Sequence, residues 1–146
     1  MSSTTVAVDV NVPPNEVWRL IGGFGSLPDW VPDVSQSELA DGGRVRHLHD
    51  PQGHTFVERL ERYDSAAHSY SYSIVQSPIP VSNYLSTITV TPINGSKGSR
   101  VEWSSVYTPD GIGEKEAGEI FHGLYSTGLK ALASRYASRE SNIRLA

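Results

Sequence analysis

The stretch TFVERLERYD, residues 55–64, carries a glutamate on a predicted strand that has no cleanly apolar face. Its aromatic and β-branched start favours a strand, and side chains alternate across a strand. Glu58 therefore shares one face with Phe56, Leu60 and Arg62. If that face is buried, a charge is buried with it, and a buried charge requires a partner, a shifted pKa or trapped water. Three interpretations of Glu58 are open: a carboxylate that lines a pocket, simple exposure, or an ion pair with Arg46, Arg59 or Arg62.

A second glutamate lies on the predicted strand RVEWSSVYT. Alternation puts Glu102 on one face with Ser104, Val106 and Thr108, and this face is too polar for a dry core. We therefore expect it to line a polar pocket. Two acids in one cavity lose solvation and repel each other, which raises at least one pKa. Glu58 and Glu102 are thus candidate acid–base groups, although the same structural alternatives are open for Glu102.

The chain contains seven tyrosines, most of them on predicted strands. A buried tyrosine fills a core with its ring and can also offer its hydroxyl to a ligand, so both roles are open. Tyr84 is the candidate to act with Glu58 as an acid or base. Trp30, in a loop-like segment before Pro32, is the candidate to cover a ligand. The tyrosines to which this argument applies are Tyr70, Tyr72, Tyr84, Tyr107 and Tyr125.

The histidines do not predict a metal site. His47 and His49 have a spacing that can chelate, but the sequence supplies no third ligand, no HExxH pattern and no cysteine. His54 and His122 are candidates for a general base or for ordinary surface residues. Phosphate-binding glycine loops and a GxSxG motif are absent too. The sequence therefore predicts no metal and no cofactor.

Composition limits the range of functions. With 146 residues and 38% apolar side chains, the chain fits one domain, residues 1–146. Its net charge of -4 is scattered, which argues against binding nucleic acid or an anionic membrane surface. The stretch MSSTTVAVDV has neither the charged region nor the apolar core that is typical of a signal peptide, and no apolar run approaches the roughly 20 residues that span a membrane. We expect a cytoplasmic protein without stable membrane insertion, a monomer or weak homodimer, whose partner is a small hydrophobic ligand.

The elements that would position these residues follow a simple order. Strict alternation from Thr4 to Val12 predicts a strand, and VPPNEVWRLIGGFGSLPDWVP predicts two short helices. Six strands follow between Val34 and Val106, separated by turn signals. A long amphipathic helix is predicted from about Gly113 to Arg139. A seven-stranded antiparallel sheet would curl around this helix to bury its apolar stripe, which leaves a pocket between them.

Three segments carry a resemblance to a known superfamily. They are PPNEVWRLIGGFGSLPDWVP, VERLERYDSAAHSYSYSIVQSPIPVSNYLSTITV and GSRVEWSSVYTPDG. The chain resembles the START-like superfamily of the birch pollen allergen, also called SRPBCC, from about Val6 to Tyr136. Within it, the chain is most similar to the bacterial polyketide cyclase/dehydrase and lipid-transport branch. The resemblance implies an α+β helix-grip fold, with Phe56, Glu58, Leu60 and Arg62 facing inward.

The same segments are similar to the plant abscisic acid receptors. That resemblance maps the receptors' pocket onto Glu58, Tyr72, Tyr84, Ser86, Glu102, Phe121 and Tyr125. Together with the strand and helix patterns, it gives our predicted ligand-binding set. This set consists of Trp30, Glu58, Leu60, Tyr72, Ile74, Tyr84, Ser86, Glu102, Ser104, Phe121, Leu124 and Tyr125.

Two functions are consistent with these residues and with the resemblance. The first is binding of a small, largely apolar ligand such as a lipid, a polyketide or another polycyclic metabolite. The second is a cofactor-free cyclase or dehydratase in which Glu58, Tyr84 and Glu102 supply the acid and base. In either case we expect the loops DPQGH and SPIPVSN to form the mobile rims of the entrance. Gly53 gives the backbone of the first loop freedom to move, whereas Pro78 and Pro80 stiffen the second loop.

Overall fold

Strands and helices follow one another in the predicted order in the part of the chain that the structure describes. This computed structural model describes residues 1–145, and the side chains of residues 1–137. The strands are β1 (Ser2–Val10), β2 (Gln36–Ala40), β3 (Val45–His49), β4 (Thr55–Asp64), β5 (Ser69–Gln76), β6 (Val81–Pro92) and β7 (Ser99–Pro109). The helices are α1 (Pro14–Ile21), α2 (Leu27–Trp30) and α3 (Glu114–Leu145), and a short 3-10 turn spans Asp41–Gly43.

All seven strands form one antiparallel sheet in the order β1-β7-β6-β5-β4-β3-β2. Consecutive strands from β2 to β7 are neighbours, and β1 returns to pair with β7. Helix α3 covers one face, which we call the inner face. Aromatic side chains of that face pack on the helix, as in the stacked pair Trp103 and Tyr125, whose ring centroids are 4.5 Å apart. The predicted α+β helix-grip fold is confirmed.

Helix α1 begins and ends where its sequence indicates. Pro14 occupies the first turn, where a missing N–H costs nothing. The helix ends at Gly22, whose N–H donates to the carbonyl of Trp18. A Cβ atom at Gly22 would lie 2.6 Å from the Trp18 ring, so a side chain there is excluded. The tryptophan can therefore fold back over the end of its own helix and pack against Tyr63 and His68.

The prediction that Arg62 faces inward is wrong, because a β-bulge interrupts β4. Leu60 pairs with Tyr72 and Arg62 pairs with the next residue, Ser71, so one residue of β4 is unmatched. Beyond that point the alternation of β4 is reversed, so residues expected on the inner face lie on the outer face. Arg62 is exposed, and Tyr63 turns to the inner face, where it stacks on Tyr70.

The predicted inner face of β7 is also wrong. Val101, Trp103 and Tyr107 face the helix and are buried, whereas Glu102 and Val106 are exposed on the opposite face. The polar pattern around Glu102 therefore belongs to the outer surface of the sheet. Burial of the large aromatic side chains decides the orientation, since each contributes on the order of 2 kcal/mol when removed from water.

Candidate functional site

A cavity of about 260 Å³ lies between the inner face of the sheet and α3. Its aliphatic lining residues are Leu27, Val31, Val34, Leu48, Ile74, Ile79 and Leu124. Its aromatic lining residues are Phe56, Tyr72, Tyr84, Trp103, Phe121 and Tyr125. The remaining four lining residues are Asp33, Asp50, Gln52 and Glu58. A largely apolar surface with a few polar groups is typical of a small-molecule site.

Glu58 forms an ion pair with Arg46, its direct cross-strand neighbour on β3. The Nε atom of Arg46 donates to Oε1 of Glu58 at 2.8 Å, and Nη2 lies 2.7 Å from the same oxygen. Both guanidinium contacts therefore reach one carboxylate oxygen. No described residue donates a hydrogen bond to Oε2, and Glu58 lines the cavity. The geometry thus combines two interpretations of this residue, since its carboxylate is both ion-paired and at the pocket wall.

Arg46 is fully buried beneath the cavity wall. Its guanidinium carbon lies 4.2 Å from the ring centroid of Phe24 and 4.5 Å from that of Tyr72. Its Nη1 atom donates to the backbone carbonyl of Phe24 at 3.0 Å and to the hydroxyl of Tyr70 at 3.2 Å. Two aromatic faces and three acceptors thus hold the cation in place and keep it away from the cavity.

Burial raises the pKa of Glu58, and the guanidinium of Arg46 opposes this rise. An arginine stays protonated in proteins, so the buried guanidinium requires a counter-charge. Glu58 is the acid in contact with it among the described residues. We therefore assign an ionised carboxylate to Glu58 at neutral pH, with Oε2 available as a hydrogen-bond acceptor.

Three tyrosine hydroxyls form a second polar group in the cavity wall. The hydroxyl of Tyr84 hydrogen-bonds to that of Tyr125, and it lies 3.5 Å from the hydroxyl of Tyr72. The indole Nε1 of Trp103 donates to Tyr72 at 3.1 Å and to Ser86 at 3.1 Å. These residues come from β5, β6, β7 and α3, so the sheet and the helix meet at this network.

Burial raises the pKa of all three tyrosines. It places those of Tyr72 and Tyr84 well above the ordinary value, and that of Tyr125 at about 12. The nearby negative charge of Glu58 raises them further. The hydroxyls are therefore protonated at neutral pH and can both donate and accept hydrogen bonds.

The two predicted rims lie at the cavity. Asp50 and Gln52 come from the loop between β3 and β4, and Ile79 comes from the loop between β5 and β6. Asp50 accepts hydrogen bonds from the backbone N–H of Gln52 and of His54, and its carboxylate contacts the His54 ring at 2.8 Å. These bonds stabilise the first loop as a turn. That the two loops move stays a prediction.

The structure brings seven of the twelve predicted ligand-binding residues together at the cavity. These are Glu58, Tyr72, Ile74, Tyr84, Phe121, Leu124 and Tyr125. The other five do not line it. Glu102 and Ser104 lie on the outer face of β7, which removes Glu102 from the candidate acid–base groups.

Trp30, Leu60 and Ser86 lie near the cavity without lining it. Trp30 is buried against Trp103, 5.6 Å between ring centroids, and is part of the core. The expectation that it covers a ligand as a lid is therefore wrong. Leu60 packs on the core beyond Glu58, and Ser86 is fully buried with its hydroxyl donated to the carbonyl of Ser104. Ser86 acts on the site through Trp103.

Several lining residues were outside the predicted set. Trp103 was missed because its strand was assigned to the wrong face. Leu48 is on β3, and its alternation with His47 and His49 was the signal for an inward apolar residue. Val31 and Val34 follow α2, where no periodicity marks them as pocket residues.

The histidines are dispersed. His54 is exposed in its turn, and His122 is exposed on α3 with Ser126 at 3.4 Å. Among the described residues, no three His, Asp or Glu side chains come close enough together to hold a metal ion. None of the helices in the described part of the chain is long and apolar enough to cross a membrane.

Known proteins are similar to this chain in fold and in part of the sequence. Residues 1–137 match the family described as polyketide cyclase / dehydrase and lipid transport. The protein XoxI from Bacillus cereus is 48% identical, with a TM-score of 0.94, and the match covers 96% of this chain and 99% of that one. A Bacillus thuringiensis protein is 47% identical, with a TM-score of 0.91, over 93% of this chain and 99% of the other.

A more distant similarity concerns the fold alone. The Zhui aromatase/cyclase from a Streptomyces species is 16% identical, with a TM-score of 0.75, and the match covers 94% of each chain. No protein with a curated description matches the sequence.

Proposed function

This chain belongs to the polyketide cyclase / dehydrase and lipid transport family, and on that premise we propose that it binds a small, largely apolar molecule between the sheet and α3. Glu58, Tyr72 and Tyr84 would hold the polar end of the ligand. The observation that carries the proposal is a mostly apolar cavity in which one carboxylate oxygen has no partner among the described residues.

The cavity volume limits the size of the ligand. A dry apolar cavity of roughly 150 Å³ holds a benzene molecule. The cavity here, about 260 Å³, therefore fits a molecule of about two fused rings or a short branched chain. A larger ligand would require the two entrance loops to move apart.

Stability alone does not favour an empty space of this size. Protein interiors pack with few voids, and unfilled apolar space in a core lowers stability. Such a cavity is consistent with selection for binding.

Native mass spectrometry of the freshly purified protein, followed by solvent extraction, tests the proposal. We expect a fraction of the protein to carry a small molecule that the extraction recovers unchanged. The matched control is Leu124→Trp, whose indole would occupy part of the cavity. A protein that carries nothing, and that also fails to bind any member of a panel of two-ring compounds, would contradict the proposal.

A second function, a cofactor-free cyclase or dehydratase, is supported by the family match and by a carboxylate and tyrosine hydroxyls that line the same cavity. Glu58 would accept a proton from a carbon between two carbonyls, and the resulting enolate would attack a more distant carbonyl of the same chain. A tyrosine hydroxyl would protonate the new alkoxide and would regain its proton from Glu58. Elimination of the new hydroxyl together with a proton of the neighbouring carbon would then release water.

Turnover separates this function from binding alone. Incubation with a short poly-β-ketone should give a product lighter by one water, and Glu58→Gln should reduce the rate by about 100-fold or more. Recovery of the compound unchanged would leave binding without chemistry as the function.

A further inference from the structure

The described residues that line the cavity include acidic side chains and no basic ones. Three of the lining residues are acids, Asp33, Asp50 and Glu58, and none of the described lining residues is a lysine, an arginine or a histidine. An anionic ligand would therefore find no cation in the cavity wall, and it would meet carboxylates at the mouth and inside.

The nearest buried cation is not available to a ligand. Arg46 is fully buried, and Nη1 and Nε already donate to acceptors of the protein. Its Nη2 atom is buried as well and lies against Oε1 of Glu58. Any ligand thus meets the acceptor side of this ion pair, the Oε2 atom, and not its donor side.

From this arrangement, and resting on the proposed binding function, we infer that the cavity selects uncharged ligands that donate a hydrogen bond and excludes carboxylates. A hydroxyl group can donate to Oε2 of Glu58 and interact with the tyrosine hydroxyls. A carboxylate at that place would lose its hydration and face another carboxylate, which costs several-fold more than a lost hydrogen bond.

A cationic ligand is disfavoured by the same ion pair. The charge of Glu58 is already balanced by Arg46, at 2.7 Å. An ammonium group at Oε2 would therefore bury an excess positive charge. An uncharged donor such as a phenol adds a hydrogen bond and leaves the charge balance unchanged.

Three naphthalene probes of nearly equal size test the inference on the unmodified protein: naphthol, its methyl ether and naphthoate, each titrated at neutral pH by calorimetry. We expect naphthol to bind about tenfold tighter than the ether, because only naphthol donates to Glu58. We expect naphthoate to bind at least about 100-fold more weakly than naphthol.

Two variants of equal net charge test whether Glu58 causes the difference in affinity between naphthol and naphthoate. Glu58→Gln should bring the affinities of naphthol and naphthoate within about tenfold of each other. Glu102→Gln, on the outer face, should leave the full difference in place. If Glu58→Gln does not fold, the three probes on the unmodified protein still decide the matter.

The outcomes are distinguishable. Naphthoate binding as tightly as naphthol overturns the inference and leaves the proposed binding function intact. If none of the three probes binds saturably, the inference fails, and the proposed function fails as well when the purified protein also carries no small molecule and binds no member of the two-ring panel. Equal affinities of naphthol and its ether would overturn the assigned hydrogen bond.

Discussion

Arg46 and Glu58 lie directly opposite each other on β3 and β4, and the arginine contacts only one of the two carboxylate oxygens. The ion pair therefore fixes the orientation of the carboxylate and leaves the second oxygen at the cavity. One pair of residues thus links the stability of the sheet to the chemistry of the pocket.

Glu58→Gln should weaken both folding and binding. Removing one charge of a buried ion pair leaves the other uncompensated, which costs roughly 3 kcal/mol in the free energy of unfolding. Binding of an uncharged hydroxyl ligand should weaken by about tenfold. Denaturant unfolding and calorimetric titration measure the two effects.

Glu102→Gln is the matched control and should change neither the free energy of unfolding nor that of binding by more than about 0.5 kcal/mol, since Glu102 is exposed. Stability of Glu58→Gln equal to that of the unmodified protein would show that the ion pair is not formed.

Tyr84→Phe should act on the ligand more than on the fold. It removes a hydroxyl that bonds to Tyr125 and faces the cavity, so we expect a cost of about 1 kcal/mol in stability and about tenfold in affinity. Tyr63→Phe is the control, because it loses one hydrogen bond to the carbonyl of Gly22 outside the cavity. Similar melting temperatures with different ligand affinities would support a contact between Tyr84 and the ligand. Equal affinities in the two variants would contradict it.

Alkaline pH should destabilise the protein through its buried tyrosines. The pKa of Tyr125 is about 12 in the folded protein and 10.0 ordinarily, so the unfolded chain loses this proton first as pH rises. The raised pKa of Tyr125 adds to the free energy of unfolding, and this stabilisation is fully present below pH 10.0. It decreases by about 3 kcal/mol as the pH rises to about 12. Denaturant unfolding at several pH values measures the slope, and tyrosinate absorbance reports the ionisation.

Tyr125→Phe should flatten that slope. Tyr72 and Tyr84 remain in this variant and keep part of the effect, because burial raises their pKa in the same direction. A stability that stays constant up to about pH 12 in the unmodified protein would show that these hydroxyls are not buried.

Ligand binding should slow hydrogen exchange in the entrance loops. Gly53 has a φ of 89°, which allows the turn between β3 and β4, and Ile79 contributes the opposite rim. We expect protection at residues 50–54 and 77–80 on addition of ligand, measured by mass spectrometry. Helix α1, which does not line the cavity, serves as the internal reference. Protection confined to segments away from the cavity would place the entrance elsewhere.

The order of strands and helices was predictable because its signals are local. Alternation from Thr4, the prolines at 13 and 14, and Gly22 each act within a few residues. The faces of the later strands were less predictable. A single bulge near Glu61 reverses the inward side of β4, and bulges depend on pairing with another strand. The orientation of β7 depends on the helix that covers it, which alternation alone does not reveal.

The candidate site was predictable to a similar extent. Glu58 was identified because a charge on an inward face requires an explanation. Its partner was one of three arginines, and only the register of β3 against β4 selects Arg46. Trp103 and Val34 were missed because cavity walls are set by packing between elements that are distant in sequence.

Binding in the cavity is best tested by titrating the protein with a neutral, environment-sensitive naphthalene dye and comparing it with Leu124→Trp. Leu124 lines the cavity from α3, and the larger side chain would occupy the space of the ligand. Leu85→Trp, at an exposed position on the sheet, is the matched control. We predict saturable binding to the unmodified protein and to Leu85→Trp, and at least about tenfold weaker binding to a folded Leu124→Trp, since the indole removes the apolar contacts of the dye. Equal dye affinity in all three proteins would show that the cavity is not the binding site.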